Sequence, residues 1–224
     1  MKAVLLAGGH GKRLRPLTND RPKAMVEIAG IPIVDRQIRW LKNQGIESLV
    51  ILASYMKERL VQHVGDGSRF GIEVSFSMEE EPLGTGGALK NAEKFLEGDE
   101  QFIMANGDII TDIDIRRLSL DGDAMASISL VPLKSPYGII ESNDGKIMAF
   151  REKPVLDDHW INAGIYLMSG KVFGYLPQKG DMEKTVFPEF ASMHRLNCTK
   201  FDGVYWRPID TMKDVDEANA ELQS

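Results

Sequence analysis

The chain has 224 residues, of which 43% are hydrophobic and 27% charged, and its formal net charge is −6. This length allows one large domain or two small ones and buries a sizeable core without disulfides or structural metals. The negative charge argues against a general affinity for nucleic acid or anionic membranes, so any phosphate-binding site has to be a local basic cluster.

The single cysteine, Cys198, excludes an intramolecular disulfide and predicts a reducing compartment. Because no histidine motif flanks Cys198, we expect it to be a small buried apolar residue rather than a nucleophile. The apolar run at residues 3–7 is too short for a signal peptide, and no stretch approaches the ~20 apolar residues of a membrane span. We therefore expect a cytoplasmic protein.

Strand-like and helical segments alternate through the first 120 residues. Apolar runs predict strands at 2–7, 48–53, 72–76 and 101–105, and helical spacing predicts helices at 33–44, 57–64 and 85–96. The alternation predicts an α/β, three-layer Rossmann-like fold with a mixed, mainly parallel central sheet. Ligands of such sheets bind beyond the carboxyl ends of the strands.

The pattern changes after residue 120. Strands are predicted at 124–132, 138–141, 146–150 and 161–168, with a turn at Asn143-Asp144-Gly145, which indicates an antiparallel extension of the sheet. Helices are predicted at 181–193 and 212–222. No linker or repeat divides the chain, so we predict a single domain over 1–224 with two halves, 1–120 and 121–224.

A glycine-rich loop with a basic cluster follows the first strand. Glycines at a strand end let backbone N–H groups approach an anion closely. The spacing fails the P-loop template, because Arg13 stands where Ser or Thr is needed, and the dinucleotide fingerprint, which needs glycine where Leu14 stands. The basic residues between positions 12 and 23 are Lys12, Arg13, Arg15, Arg21 and Lys23. A solvated basic surface is the alternative interpretation.

Residues 6–18, LAGGHGKRLRPLT, followed by Pro22-Lys23, resemble the signature of the sugar-phosphate nucleotidyltransferases, or NDP-sugar pyrophosphorylases. That family couples a nucleoside triphosphate (NTP) to a sugar 1-phosphate and releases pyrophosphate. The resemblance implies that Arg13 and Lys23 hold the triphosphate and that Lys12 is auxiliary, because threonine is common at its position. The other implied nucleotide-binding loop residues are Leu6, Ala7, Gly8, Gly9 and Gly11.

Residues 79–89, EEEPLGTGGAL, resemble the base-recognition loop of the same family. The resemblance implies that a carboxylate from Glu79 or Glu81 and the backbone around Gly84 and Thr85 read the base. An acidic turn that leads into a helix is the alternative.

The fourth strand is followed by Asn106-Gly107-Asp108, where a parallel sheet presents catalytic groups. Mg²⁺ takes one or two carboxylates and fills its octahedron with waters and phosphate oxygens. Asp108 is therefore the expected first ligand of a Mg²⁺ cofactor. We expect Asp112 and Asp114 to cap the short helix that follows.

Three segments in the second half resemble the family's sugar-phosphate-binding segments. They imply that Lys153 contacts the acceptor phosphate and that the remaining residues bind the sugar; these are Tyr137, Gly138, Glu152 and Asn162, together with Trp206. The resemblance therefore makes 1–120 the nucleotide-binding half and 121–224 the sugar-phosphate-binding half.

The segment 206–211, Trp-Arg-Pro-Ile-Asp-Thr, departs from the common family pattern Trp-x-Asp-x-Gly-Thr. Pro208 stands where the second metal-binding aspartate is usual, and Trp-x-Pro-x-Asp-Thr resembles the glucose-1-phosphate cytidylyltransferases. Two interpretations follow. Either Asp210 supplies the second Mg²⁺ carboxylate from a shifted position, or it caps the last helix with Thr211.

The implied reaction is in-line attack of the sugar 1-phosphate on the α-phosphorus of the NTP. A phosphomonoester has a second pKa of ≈ 6, so it is largely dianionic at pH 7 and needs no general base. The four histidines have no metal-ligand spacing. We expect catalysis by positioning and charge stabilisation through Arg13, Lys23, Asp108 and Lys153.

The base and the sugar are left open. GTP with mannose or heptose 1-phosphate is slightly favoured; the alternatives are UTP, dTTP or CTP, or a catalytically silent regulatory protein that binds nucleotide sugars. The chain ends at Ser224 without the hexapeptide-repeat, left-handed β-helix domain of many relatives, so we expect no acyltransfer activity. A homo-oligomer is left open.

Overall fold

A central mixed sheet organises the protein in a computed structural model that describes residues 1–223. The strands are β1 (Lys2–Leu6), β2 (Glu27–Ile28), β3 (Ile31–Pro32), β4 (Ser48–Ala53), β5 (Glu73–Met78), β6 (Gln101–Asn106), β7 (Ile109–Thr111), β8 (Ala126–Lys134), β9 (Ile139–Asn143), β10 (Lys146–Arg151), β11 (Val155–Ser169), β12 (Leu196–Lys200) and β13 (Trp206–Pro208). The helices are α1 (Ile33–Asn43), α2 (Lys57–Val64), α3 (Gly84–Asn91), α4 (Val186–Ser192) and α5 (Met212–Gln223).

Seven strands form the central sheet in the order β12-β8-β11-β6-β1-β4-β5. β1 runs parallel to β4 and β6, and β5 runs parallel to β4. β11 runs antiparallel to β6 and β8, while β12 pairs with β8 in parallel. The predicted fold class, a mixed and mainly parallel sheet with an antiparallel extension, is confirmed.

Apolar side chains cover both faces of the sheet because successive strand residues point to opposite sides. Leu5 of β1 belongs to a buried cluster that includes Leu41 of α1. Its neighbour Val4 belongs to a second cluster that includes Leu89 of α3. The helices therefore form layers on both faces, as the strand and helix alternation predicts.

Two helix boundaries differ by several residues from the sequence expectations. α3 ends at Asn91 rather than Leu96, because Ala92 (φ −90°, ψ 0°) turns the chain into a 3₁₀ segment at Glu93–Phe95. α4 begins at Val186 rather than residue 181, because residues 180–183 hydrogen-bond to the start of α3 instead of to a helix of their own.

The expectation that Cys198 is buried is wrong. Cys198 lies on β12, a strand at the edge of the central sheet that the sequence analysis did not predict, and its side chain is exposed. An edge strand has only one neighbour, so its burial depends on what covers it rather than on residue type.

The predicted turn at residues 143–145 joins β9 and β10 into an antiparallel hairpin. Asp144 (φ 46°) and Gly145 (φ 76°) both adopt the left-handed conformation that two-residue hairpin turns need. Among the described residues, no helix is long and apolar enough to cross a bilayer.

Candidate active site

The glycine loop after β1 folds against the segment that carries Lys23. Gly11 has φ +60°, and a Cβ there would lie 2.9 Å from Cγ2 of Thr18 and 3.1 Å from Cβ of Lys23. The Thr18 hydroxyl donates a hydrogen bond of 2.8 Å to the Gly11 carbonyl. Glycine is therefore needed at this position both for backbone conformation and for space.

Two carboxylates from distant parts of the chain meet beside this loop. The short antiparallel ladder between β7 and β13 pairs Ile109 with Pro208. The backbone N–H of Ile209 also donates to the Asp108 carbonyl at 2.8 Å. Asp108 and Asp210, which flank the two strands at this end, are thereby brought together.

Lys23 lies between these two carboxylates. Its Nζ donates to Oδ2 of Asp108 at 2.7 Å and to Oδ1 of Asp210 at 2.6 Å, and its side chain is only 13% exposed. Nη2 of Arg13 lies 3.1 Å from the same Oδ1 of Asp210. Although burial opposes ionisation of Asp210, the hydrogen bonds and charges of Lys23 and Arg13 outweigh it and lower the pKa of this carboxyl below its ordinary value.

The alternative that Asp210 caps the last helix is wrong. Oδ2 of Asp214 accepts from the backbone N–H of Thr211 at 2.7 Å, and Thr211 Oγ1 accepts from the N–H of Asp214 at 3.3 Å. This reciprocal pair is a capping box. The Asp210 carboxylate is free of the cap and accepts from Lys23 and Arg13 instead.

Of the other two aspartates, only Asp114 caps the following short helix. Its Oδ1 accepts from the Arg116 N–H at 3.1 Å. The expectation for Asp112 is wrong, because its Oδ1 accepts from the backbone N–H of Tyr205 at 2.9 Å and so ties the segment before β13 to the segment after β7.

Of the two carboxylates considered for base recognition, Glu79 lies beside the glycine loop. A Cβ on Gly8 would lie 3.7 Å from Oε1 of Glu79, whereas Glu81 is exposed and pairs with Lys179 at 3.0 Å. Glu79 is 7% exposed. Burial raises the pKa of Glu79. The hydrogen bond that Glu79 accepts from the Leu83 N–H and the nearby Lys57 ammonium oppose this effect.

Gly84 and Thr85 begin α3 and pack against the segment before α4. A Cβ on Gly84 would lie 2.7 Å from the Gly180 carbonyl oxygen, so only glycine fits there. The Thr85 hydroxyl donates to Glu183 and accepts from the Met182 N–H at 3.0 Å. The Thr85 side chain is thus engaged within the protein, and its contact with a nucleotide stays a prediction.

Four of the residues predicted to bind the sugar phosphate lie around the base of the β9–β10 hairpin. Tyr137 is 76% exposed, and a Cβ on Gly138 would lie 3.0 Å from Oε2 of Glu152. Lys153 has φ +44°, and its Nζ lies 3.6 Å from Oε1 of Glu152. Backbone strain at a lysine of this kind is found at functional sites more often than elsewhere.

Asn162 makes its hydrogen bonds within β11, and Trp206 connects β13 to the same strand. Asn162 Nδ2 donates to the Tyr166 hydroxyl at 2.9 Å, and its Oδ1 accepts from the Gly164 N–H at 2.8 Å. Trp206 Nε1 donates to the Ala163 carbonyl at 2.8 Å. Burial raises the pKa of Tyr166, so its hydroxyl stays neutral.

Two polar side chains at this site were not singled out in the sequence. Gln37 of α1 donates through Nε2 to the Asn106 carbonyl at 2.7 Å, and Glu183 accepts from Thr85. Gln37 lies on the apolar face of α1 between Val34 and Leu41, and a polar residue on such a face is a signal available in the sequence. Glu183 carries no comparable signal.

Comparisons with known proteins identify the family of the chain. The sequence profile of the family described as Nucleotidyl transferase matches residues 2–224. The chain is 34% identical to the mannose-1-phosphate guanylyltransferase catalytic subunit beta of Dictyostelium discoideum and 35% identical to the mannose-1-phosphate guanyltransferase of Yarrowia lipolytica. Each match covers 96% of this chain, and the chain spans 62% of the length of each relative.

Among solved structures, HddC from Yersinia pseudotuberculosis is 31% identical, with a TM-score of 0.78 and coverage of 99% of both chains. HddC has also been solved complexed with GMP-PN, at the same identity and TM-score. Both the profile match over nearly the whole chain and these relatives lead to one conclusion: the chain belongs to the nucleotidyl transferase family.

Proposed function

We propose that the protein transfers a nucleoside monophosphate from an NTP to a sugar 1-phosphate and releases pyrophosphate. The observation that carries this proposal is the convergence of Lys23 and Arg13 on the carboxylates of Asp108 and Asp210, beside a glycine loop. A catalytically silent binding protein has no need for two carboxylates that share one ammonium group.

The main obstacle to the reaction is the approach of two polyanions. Each close pair of like unit charges costs about 1 kcal/mol in water and several times more near a protein surface. We propose that Arg13 and Lys23 offset this repulsion at the triphosphate and stabilise the negative charge of the leaving pyrophosphate. The acceptor phosphate is already ionised, so the protein needs to position it rather than activate it.

The donor set around Lys23 fits Mg²⁺. Asp108 and Asp210 supply only oxygen ligands, which hard cations such as Mg²⁺ prefer, and two carboxylates are the number that Mg²⁺ accepts alongside substrate phosphates. When bound, Mg²⁺ would neutralise phosphate charge at the reacting group. We propose Asp108 and Asp210 as its protein ligands, with Lys23 free to bind phosphate once the metal balances the carboxylates.

The acceptor half supplies the sugar 1-phosphate site. We propose that the Lys153 ammonium binds the acceptor phosphate, while Glu152, Asn162, the Gly138 backbone, Tyr137 and Trp206 surround the sugar. The support is geometric: a Cβ on Gly164, close in sequence to Asn162, would lie 2.6 Å from Nδ2 of Asn106, so this segment abuts the catalytic one.

We propose GTP as the donor, with mannose or heptose 1-phosphate as the acceptor. A carboxylate such as that of Glu79 can accept from the adjacent N1–H and N2–H₂ groups of guanine. The relatives from Dictyostelium discoideum and Yarrowia lipolytica are named as mannose-1-phosphate guanylyltransferases, which supports the same choice.

The exposed free thiol of Cys198 supports a reducing, cytoplasmic location.

A pyrophosphate-release assay tests this proposal. Each of GTP, UTP, dTTP and CTP is combined with mannose, glucose and heptose 1-phosphates in the presence of Mg²⁺, and the NDP-sugar is identified by mass. We expect the highest kcat/KM with GTP. Release only with another base would overturn the donor assignment, and binding of NDP-sugar without any release would establish a silent binding protein.

A further inference from the structure

A buried side chain of α1 hydrogen-bonds to the backbone of the segment that carries Asp108. Gln37 lies on α1 and is 3% exposed. Its Nε2 donates to the Asn106 carbonyl at 2.7 Å, two residues before Asp108. The carbonyl that it binds belongs to the last residue of β6, where the ladder to β11 has already ended at Ala105.

The same face of α1 makes a second attachment one turn later. Trp40 Nε1 donates to the Ile113 carbonyl at 3.0 Å. The two bonds therefore grip the chain on either side of β7, the strand that pairs with β13. Residues 106–113 include Asp108, and the pairing of β7 with β13 sets the position of Asp210. The two hydrogen bonds from α1 therefore fix the backbone that positions both carboxylates.

One polar atom of the Gln37 side chain destabilises the folded protein. Among the described residues, no group hydrogen-bonds its buried Oε1. A buried amide oxygen without a partner is destabilising, and an apolar side chain of the same length would avoid this penalty. The presence of glutamine at this position is therefore explained by its Nε2 group, which donates to the Asn106 carbonyl.

We infer that Gln37 is a positioning residue, whose amide fixes the Asn106 carbonyl and thereby orients Asp108 for metal and phosphate binding. This inference rests on the proposed transferase function. Substitution of a residue that orients a metal ligand lowers metal affinity even where that residue does not contact the metal, because the carboxylate then no longer points in the direction that coordination needs.

The test compares two glutamines on one helix. Gln37→Met keeps the length of the side chain and removes the donor. Gln44→Met is the matched control, because Gln44 caps the far end of α1 and its Oε1 is also buried without a partner in the described part of the chain. Trp40→Phe removes the second attachment and serves as an independent variant should Gln37→Met fold poorly.

Three quantities are measured for each protein: kcat for pyrophosphate release, Mg²⁺ affinity by calorimetry with a non-hydrolysable GTP analogue, and hydrogen–deuterium exchange over residues 106–113. We expect Gln37→Met to lose roughly tenfold or more in kcat and about tenfold in Mg²⁺ affinity. Exchange over residues 106–113 should be faster, with a thermal midpoint close to that of Gln44→Met. Trp40→Phe should shift the same quantities in the same direction.

Equal Mg²⁺ affinity and equal exchange in Gln37→Met and Gln44→Met would overturn the inference. Absence of pyrophosphate release from the wild-type protein would instead reject the proposed function. In that case the exchange comparison still decides whether Gln37 holds the segment.

Discussion

Asp108 and Asp210 accept hydrogen bonds from the same ammonium group, Nζ of Lys23, at 2.7 and 2.6 Å. One residue precedes β7 and the other follows β13, and the pairing of these two strands brings them together. Two carboxylates this close repel each other unless a cation lies between them. The role of Lys23 and the proposed binding of Mg²⁺ by the two carboxylates can therefore both be tested by substitution at these positions.

Replacement of Lys23 by alanine should lower kcat for pyrophosphate release by roughly 10²–10³-fold, the usual effect of losing one electrostatic donor to the transition state. The loss also leaves the two carboxylates without their shared cation, so Mg²⁺ should raise the thermal midpoint of Lys23→Ala more than that of the wild type. Steady-state kinetics and thermal unfolding with and without Mg²⁺ measure both effects. Lys213→Ala, at a surface lysine on α5, is the control. Wild-type turnover in Lys23→Ala would remove Lys23 from the catalytic set.

Asp210→Asn should lower activity at least about tenfold, with partial recovery at high Mg²⁺, because the amide keeps the shape of the side chain but loses the negative charge. The thermal midpoint should change little, since Thr211 and Asp214 cap α5 without the Asp210 carboxylate. A Mg²⁺ titration of activity measures the effect. An unchanged Mg²⁺ midpoint would show that Asp108 holds the metal alone.

Asp214→Ala should show the complementary behaviour. Loss of its contribution to the capping box should destabilise the protein by about 0.5–2 kcal/mol. The Mg²⁺ midpoint of activity should shift less than in Asp210→Asn, because the Asp214 carboxylate accepts from the backbone N–H groups of Asp210 and Thr211 and from the Thr211 hydroxyl, and leaves the Asp210 carboxylate in place. Urea unfolding and the same Mg²⁺ titration separate the two roles. A shift as large as that of Asp210→Asn would mean that the cap, rather than the Asp210 carboxylate, controls the metal site.

Glu79→Gln should change both pH-dependent stability and donor affinity. Burial raises the folded-state pKa of Glu79 above its ordinary value of 4.5, so the folded protein binds this proton more tightly than the unfolded chain does. Wild-type stability should therefore fall as the pH rises from the ordinary value through the raised one, and Glu79→Gln should lack this part of the decline. Urea midpoints across this range test the sign.

The same substitution removes the carboxylate that we assign to guanine. Glu79→Gln should raise KM for GTP at neutral pH, while KM for the sugar 1-phosphate stays near the wild-type value. Glu81→Gln is the matched control, since that carboxylate is exposed and paired with Lys179. Equal KM values for GTP in both variants would remove Glu79 from base recognition.

Lys153→Ala should raise KM for the sugar 1-phosphate far more than KM for the NTP, because its ammonium lies at the base of the β9–β10 hairpin, among the residues that we propose to bind the sugar 1-phosphate. Lys146→Ala, an exposed lysine on the same hairpin, controls for the loss of one positive charge. Steady-state kinetics with each substrate varied in turn give the two KM values. An equal rise for both substrates would place Lys153 on the nucleotide side.

The sequence by itself predicted the features that depend on short stretches of chain. Alternating apolar runs and helical spacing indicate the parallel sheet, and the turn at Asp144-Gly145 follows from the residues that tolerate positive φ. The glycine loop with Lys23 and Arg13 carried the family resemblance in the same way. Local backbone preference and hydrophobic periodicity act over a few residues, so they can be read without knowing what the segment packs against.

The tertiary structure decided which distant groups meet. It shows that Thr211 and Asp214 make the helix cap while the Asp210 carboxylate accepts from Lys23 and Arg13. Of the two roles that the sequence left open for Asp210, Mg²⁺ ligand or helix cap, the cap is thereby excluded. The tertiary structure also exposes Cys198 on an edge strand and brings the Gln37 amide into a hydrogen bond with the Asn106 carbonyl. These outcomes depend on the register of β13 against β7 and on the order of strands in the sheet. A slip of one residue in such a pairing turns every side chain to the opposite face. Because β7 and β13 are far apart in the sequence, no turn joins them to set their register.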